Sequence, residues 1–279
     1  MELNALAGTS IATRKGTINF LTMLGHGTFG NVYKANVGSQ TYACKVVRYE
    51  SGREQAAFDR EMTALHKIKS NKHPHVIAFI GYVLPENNTE IGLMVFELAR
   101  FGSLEDFMAR SGKLQLFQSW TFFEQLLDGI AFLHALGIYH RDIKPANILM
   151  ESESQIKISD LGLAYTTKNT VEVPFLEDVC GTENFLPPES FEAKKFLADS
   201  GDLWAATMTF VCMVTYDIPW GRASKEDPYY EAFVDGITDV RFWCQFEHLA
   251  QLVFAYLHPI TSERTIPVKY KNSLELYLK

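Results

Sequence analysis

His140-Arg141-Asp142-Ile143-Lys144-Pro145-Ala146-Asn147 brings an acid, a lysine and an amide into one short stretch, and Asp160-Leu161-Gly162 follows inside the apolar frame Ile156 to Leu163. A lone His-Arg-Asp is most simply a solvated turn, because Asp, Lys and Asn all favour exposed loops. That reading weakens when an ordered run of such residues is followed by a second acidic motif. It is tested by whether charged residues elsewhere sit where only a partner would explain them.

Upstream, Thr17 to Leu24 is rich in β-branched and apolar residues and runs into Gly25-His26-Gly27-Thr28-Phe29-Gly30-Asn31-Val32, after which Val32 to Val37 alternates again. The result is a Gly-rich hairpin. Gly25, Gly27 and Gly30 let backbone N–H groups approach phosphates closely, and Phe29 at the tip is placed to shield them from water. G-x-G-x-x-G alone is a weak signal, since dinucleotide-binding folds use it too. In those folds the glycines open a helix, whereas here a strand follows. In Thr41-Tyr42-Ala43-Cys44-Lys45-Val46-Val47, strand alternation puts Ala43, Lys45 and Val47 on one face. A lysine flanked by small apolar neighbours needs an anion. The helix expected over Glu54 to Lys69 carries Phe58, Met62, Leu65 and Ile68 on one stripe, and Glu61 shares that face, while Glu54 and Asp59 fall off it. An inward Glu calls for a partner, and Lys45 is the obvious one.

A turn at Asn71-Lys72-His73-Pro74-His75 ends this helix. Strands are expected over Val76 to Leu84 and Ile91 to Phe96, around a polar hairpin from Pro85 to Glu90, and Glu97-Leu98-Ala99-Arg100-Phe101-Gly102 connects onward. Helices are expected over Ser103 to Met108, Trp120 to Leu136 with a stop at Gly137, Leu203 to Tyr216, Pro228 to Asp235 and Phe246 to Leu257. A short strand, Ile156 to Ser159, presents Asp160. The irregular stretch from there to Glu189 contains Cys180-Gly181-Thr182 and Pro187-Pro188-Glu189, and Asp202 is placed to accept N–H groups from the His140 to Asn147 loop.

The 279 residues, 47% hydrophobic and 13% aromatic, suffice for the core of one large domain or two lobes. A net charge of -7 and a pI near 5.6 argue against sequence-independent binding to nucleic acid or an anionic membrane, which needs a basic face. Cys44, Cys180, Cys212 and Cys244 lie far apart without C-x-x-C spacing, so no zinc or redox motif is read and a reducing compartment is the simpler inference. Met1 to Gly16 has neither a basic n-region nor an apolar h-region, so no secretory signal is expected. The most apolar run, Leu203 to Tyr216, is shorter than the ~20 residues of a membrane span and reads as a buried helix.

In this order the motifs resemble the eukaryotic protein kinases from about residue 18 to the end: a catalytic loop H-R-D-x-x-x-x-N, a D-F-G with Leu161 for Phe, a Gly-rich loop, a strand Lys, a helix Glu and a P-P-E variant of A-P-E. The resemblance implies an α+β, two-lobed fold. A small, mostly antiparallel β lobe with one key helix would span about 18–96, a hinge about 97–102 and a larger, mostly helical lobe about 103–279, all within one domain over 1–279. It implies ATP and Mg²⁺ as cofactors. Asp142 would orient the attacking hydroxyl, Lys144 would neutralise charge on the transferring phosphoryl, Asn147 and Asp160 would hold Mg²⁺, and Glu61 would fix Lys45 on the phosphates. Gly25, Gly27, Gly30, Val32, Ala43 and Lys45 would enclose the nucleotide, with the backbone of Glu97 and Ala99 on the adenine edge and Phe96 limiting the pocket behind it. Arg264 would pair with Glu189. The implied partners are protein substrates, with neither nucleic acid nor membrane, in the cytoplasm or nucleus; oligomeric state stays open.

Lys144 looks like the serine/threonine branch. Leu163-Ala164, the spacing from Asp160 to Cys180-Gly181-Thr182, Ile218-Pro219-Trp220 and Arg264-Thr265-Ile266-Pro267 resemble the checkpoint kinases within it. Pro187 for Ala and Thr207 for the usual Gly bear on how the activation segment is anchored. Ser103 and Ala146 replace acids that hold a substrate Arg in basophilic relatives, so a weak preference for Arg three residues before the target is expected, with Glu105 and Asp106 as the nearby acids that could compensate. Arg141 seeks a negative partner on the activation segment, and Thr166, Thr167 and Thr170 are candidate phosphate carriers. Glu172, Glu177 and Asp178 already supply carboxylates, and the segment is expected to order without a phosphate. Three functions stay open: an active kinase, a catalytically inactive kinase-fold scaffold, and a small-molecule or lipid kinase. The retained Lys45, Glu61, Asp142, Lys144, Asn147 and Asp160 speak against the second. Lys144, the P-P-E segment and Arg264 speak against the third.

Overall fold

The computed structural model describes residues 6–27, 30–48, 52–85, 91–170, 172–192, 195–237 and 247–277. Phe29, the hairpin at 86–90, Cys244 and Phe246 lie outside them.

The small lobe is an antiparallel sheet of β1 (Ser10–Thr13), β2 (Gly16–Gly27), β3 (Gly30–Val37), β4 (Gln40–Arg48), β5 (Phe79–Val83) and β6 (Ile91–Phe96), in the order β1-β2-β3-β4-β6-β5. One helix, α1 (Gly52–Ser70), packs on it and covers the expected Glu54 to Lys69. The alternation of β4 sorts its side chains between two apolar clusters. Cys44 and Val46 pack with Phe20, Tyr33 and Leu93, whereas Val47 joins Met62, Leu65 and Ile68 of α1. Lys45, in phase with Val47, is thereby delivered to the α1 side.

The strand expected over Val76 to Leu84 is shorter than its apolar run suggests. Val76 bridges Ile158 in parallel, the Ile77 amide donates to Ile158 O at 2.9 Å, and the Ile158 amide donates to His75 O at 2.9 Å. These backbone groups are spent on the large lobe, and β5 begins only at Phe79.

The large lobe holds α2 (Leu104–Ser111), α3 (Leu116–Ala135), β7 (Ile138–Tyr139), β8 (Ile148–Ser152), β9 (Gln155–Ile158), β10 (Tyr165–Thr166) and β11 (Phe175–Leu176). After these come α4 (Glu189–Glu192), β12 (Phe196–Leu197), α5 (Ala198–Thr215), α6 (Pro228–Val234), α7 (Glu247–Phe254) and α8 (Val268–Tyr277). Helix α5 starts five residues before the expected Leu203, because its first turns bury Ser200 and Asp202 against polar partners and so lack an apolar signature. Helix α8 has no counterpart among the helices expected from the sequence; of its described side chains Val268 and Leu276 are exposed and Tyr270 is buried. Hydroxyl groups help hold it: Tyr270 Oη lies 2.9 Å from His134 Nδ1, and Tyr277 Oη donates to Asp128 at 2.9 Å while 2.7 Å from His73 Nε2. No helix among the described residues is long and apolar enough to cross a membrane.

Candidate active site

The cleft between the lobes is roofed by β2, β3 and β4. Register places Gly25 beside Val32 and Val32 beside Lys45, and sets Ala43 beside Phe96 at the end of β6. Val32, Ala43 and Phe96 are only half-buried, leaving apolar surface open on the cleft side. Gly30, at φ +138°, has to be glycine, since a Cβ there would lie 2.3 Å from Val46 O. The Glu97 amide donates to Ala78 O at 3.0 Å, so only its carbonyl could meet an adenine edge. The Glu97 carboxylate accepts from the Ala78 amide and from Lys157 Nζ, both at 2.7 Å, which fixes the connecting segment.

Lys45 Nζ donates to Glu61 Oε1 at 2.7 Å and to Asp160 Oδ1 at 3.0 Å. Burial works against the Lys45 charge, but the two carboxylates outweigh it and its pKa rises above the usual lysine value. Burial likewise favours a neutral Asp160, yet Lys45 holds its pKa below the usual carboxylate range. The expected pairing of Glu61 with Lys45 is therefore present, and Glu61 is only 2% exposed. Leu161 is buried in the apolar cluster that includes Leu65 and Ile68.

Across the cleft, Asn147 Nδ2 donates to Asp142 O at 2.8 Å and to Asp142 Oδ2 at 2.9 Å. Lys144 Nζ lies 2.9 Å from the same Oδ2. Thr182, whose sequence signal is only its spacing from Asp160, closes this arrangement: it donates to Asp142 Oδ1 at 2.8 Å and accepts from Lys144 Nζ at 2.6 Å. Both donor hydrogens of the Asn147 amide face Asp142, which leaves its Oδ1 for another partner. With the half-exposed Asp160 carboxylate this makes two hard oxygen donors. No group of three or more His, Cys, Asp or Glu able to hold a metal ion occurs among the described residues. Two protein oxygens suit Mg²⁺, which takes one or two protein ligands and completes its shell with phosphates and water.

Asp202 sits beneath the loop, 2% exposed, and accepts from the His140 amide, the Arg141 amide and His134 Nε2, all at 2.8 Å. Burial alone would raise its pKa, but these hydrogen bonds hold it below the usual value. Its expected role toward the loop is thus observed, from the second turn of α5 instead of its start. Arg141 has φ +69°, a left-handed conformation that a β-carbon disfavours. Its guanidinium meets Asp178 O at 2.7 Å and Asp178 Oδ2 at 2.8 Å. Of the three acids expected near it, only Asp178 makes this contact; Glu177 pairs with Lys195 at 2.7 Å and Glu172 is exposed.

Anchoring of the activation segment survives Pro187 and Thr207. Arg264 clasps Glu189 through two hydrogen bonds of 2.8 and 3.0 Å, with Ser200 bonded to both, and stacks 4.8 Å from the Trp204 ring. Thr207 satisfies its hydroxyl on Leu203 O at 3.0 Å. In front of the loop a groove of about 550 Å³ is lined by Glu105, Lys144, Ala146, Thr182, Tyr216 and Asp217, among others. Asp106 does not face it, being turned back onto the Ser103 amide and hydroxyl at 3.2 and 2.7 Å as part of a capping box.

Residues 18–265 match the family described as protein kinase domain. The chain belongs to this family. Among curated relatives, this kinase domain is similar to CBL-interacting serine/threonine-protein kinase 9 of Arabidopsis thaliana, 30% identical over 73% of this chain and 46% of the relative. It is also similar to serine/threonine-protein kinase HAL4/SAT4 of Saccharomyces cerevisiae, 27% identical over 90% of this chain and 44% of that one. CBL-interacting protein kinase 17 of Oryza sativa subsp. japonica is 30% identical over 82% of this chain and 49% of the relative. The chain spans about half the length of the curated relatives it matches.

Proposed function

We propose that the chain is an ATP-dependent serine/threonine protein kinase that moves the γ-phosphoryl group of ATP onto Ser or Thr hydroxyls of protein substrates, with ATP and Mg²⁺ as cofactors. The observation that carries this reading is the arrangement of Asn147, Lys144 and Thr182 around Asp142, across the cleft from Lys45 held between Glu61 and Asp160. In this reading Asp142 orients the acceptor hydroxyl and takes its proton, and Lys144 offsets charge developing on the transferred group. Lys45 fixes the phosphates under Gly25, Gly27 and Gly30, and the Glu97 carbonyl and Ala99 backbone meet the adenine edge. Mg²⁺, held by Asn147 and Asp160, would supply neutralisation of phosphate charge. The protein's part is positioning and electrostatics, with little covalent chemistry of its own.

The intact Lys45–Glu61 pair favours an active enzyme over a scaffold. The groove beside Lys144 and the clasp of Glu189 by Arg264 favour a protein substrate over a small molecule. A single domain over 1–279 and a place in the cytoplasm or nucleus belong to the same proposal. A checkpoint role rests only on the sequence likeness at Leu163-Ala164, Ile218-Pro219-Trp220 and Arg264 to Pro267. Transfer of label from γ-labelled ATP to a position-scanned peptide array tests the reading. The expected result is labelling of Ser or Thr with a weak preference for Arg three residues upstream, because Ser103 and Ala146 offer no carboxylate there. Absence of any peptide labelling overturns the kinase reading; a strong Arg preference would mean that Glu105 or Asp217 compensates.

A further inference from the structure

Lys67, near the end of α1, donates through Nζ to Leu136 O at 2.7 Å and to Thr167 O at 2.6 Å. Leu136 caps the C-terminus of α3, where carbonyls lack helical partners and the helix dipole concentrates negative charge, so an ammonium is favoured there. Thr167 directly follows β10, which pairs with β7 just ahead of the catalytic loop. The Thr167 amide donates to Gly137 O at 2.8 Å, and a Cβ on Gly137 would meet Thr167 O at 2.7 Å. The two segments cross with no room between them. One ammonium therefore joins α1, the end of α3 and the start of the activation segment.

We propose that Lys67 is a positioning residue that couples the placement of α1, and with it Glu61 against Lys45, to the ordered start of the activation segment. The proposal rests on the kinase reading. Glu61 lies six residues earlier on the same helix, about 9 Å along its axis, so the two side chains move with one rigid body. Met62, Leu65 and Ile68 bury α1 against the core, and such apolar burial is non-directional. The two hydrogen bonds of Lys67 are directional, and swinging α1 far enough to part Lys45 from Glu61 pulls Nζ off both carbonyls. Disorder at Thr167, in turn, removes half of the anchor and frees α1.

The test is a kinetic double-mutant cycle on the full chain, using Lys67→Met, which keeps the apolar stem, together with Lys67→Arg and Glu61→Gln. Lys67→Met should lower kcat/KM roughly tenfold, and Lys67→Arg should recover most of it. In the Glu61→Gln background Lys67→Met should cost less than about twofold, because both changes then break one device. Parent-like activity of Lys67→Met overturns the proposal, and so does an undiminished loss in the Glu61→Gln background, which would mark Lys67 as only a cap of α3. If Lys67→Met melts early, Lys67→Gln is read by the same criteria. A parent chain that transfers no phosphate sinks the kinase reading instead. The coupling is then read from hydrogen exchange: Lys67→Met must speed exchange in α1 and at residues 165–167 together, and an effect confined to the end of α3 overturns it.

Discussion

Replacing Asp202 by Asn removes one negative charge and one acceptor from beneath the catalytic loop. In the parent, two carboxylate oxygens serve three buried donors at 2.8 Å, the amides of His140 and Arg141 and the imidazole of His134. Asparagine keeps one oxygen, which can stay on the pair formed by His140 and His134. Its amide then faces the Arg141 N–H, donor against donor. A hydrogen bond to a charged group contributes about 1.5–3 kcal/mol, and a buried donor left without a partner costs about 1–3 kcal/mol. The expected destabilisation is about 3 kcal/mol, or roughly 6–10 °C in Tm for a chain of this size. Activity should fall further than stability. Arg141, at φ +69°, donates the bond that is lost, and relaxation of this disfavoured conformation would shift Asp142 next door; a displacement of about 1 Å can cost about 10² in rate. Calorimetry and steady-state kinetics on the same preparation measure both quantities. A melting point within about 2 °C of the parent, or unchanged turnover, would refute this reasoning.

Thr182→Ala should lower kcat about tenfold with ATP affinity unchanged, and Thr182→Ser should restore most of it, since the hydroxyl orients Asp142 and Lys144; a Ser variant no better than Ala contradicts this. Stability should fall on acidification. Burial lowers the pKa of His73 to about 4, against the partial relief of Asp128, so the folded chain binds fewer protons than the unfolded chain below its usual value of about 6.5. This contribution is complete above pH 6.5 and is lost as pH falls toward 4; at pH 5 the loss is about 2 kcal/mol, visible as a lower urea midpoint. Phosphatase treatment should leave activity within about twofold while Asp178→Ala reduces it, because the Asp178 carboxylate already occupies Arg141; activity abolished by phosphatase rules this out.

What could be read from sequence was what local pattern and misplaced charge reveal. Lys45 among small apolar residues and Glu61 on an apolar stripe each demanded a partner, and the fold brings them to 2.7 Å. The glycine spacing gave the hairpin, and the strand expected over Ile91 to Phe96 has those bounds. Contacts fixed by chain crossing were not legible. Thr182 reaches Asp142 only after the activation segment folds back, and Lys67 looks in sequence like any solvated helix lysine. Helix α8 is held in part by tyrosine hydroxyls that carry no periodic signal, and the start of α5 is hidden because its buried side chains there are polar. The late start of β5, at Phe79 instead of Val76, is another contact fixed by chain crossing, since the backbone partner of this stretch, Ile158, lies far along the chain.

The central claim, that Asp142 and its surroundings orient an acceptor hydroxyl for phosphoryl transfer, is tested most directly by single-turnover transfer from γ-labelled ATP in the parent and in Asp142→Asn, with ATP affinity measured on both. The account predicts that the substitution slows transfer by about 10² or more and leaves ATP affinity within a few-fold of the parent. Near-normal transfer by the Asp142→Asn chain would contradict it.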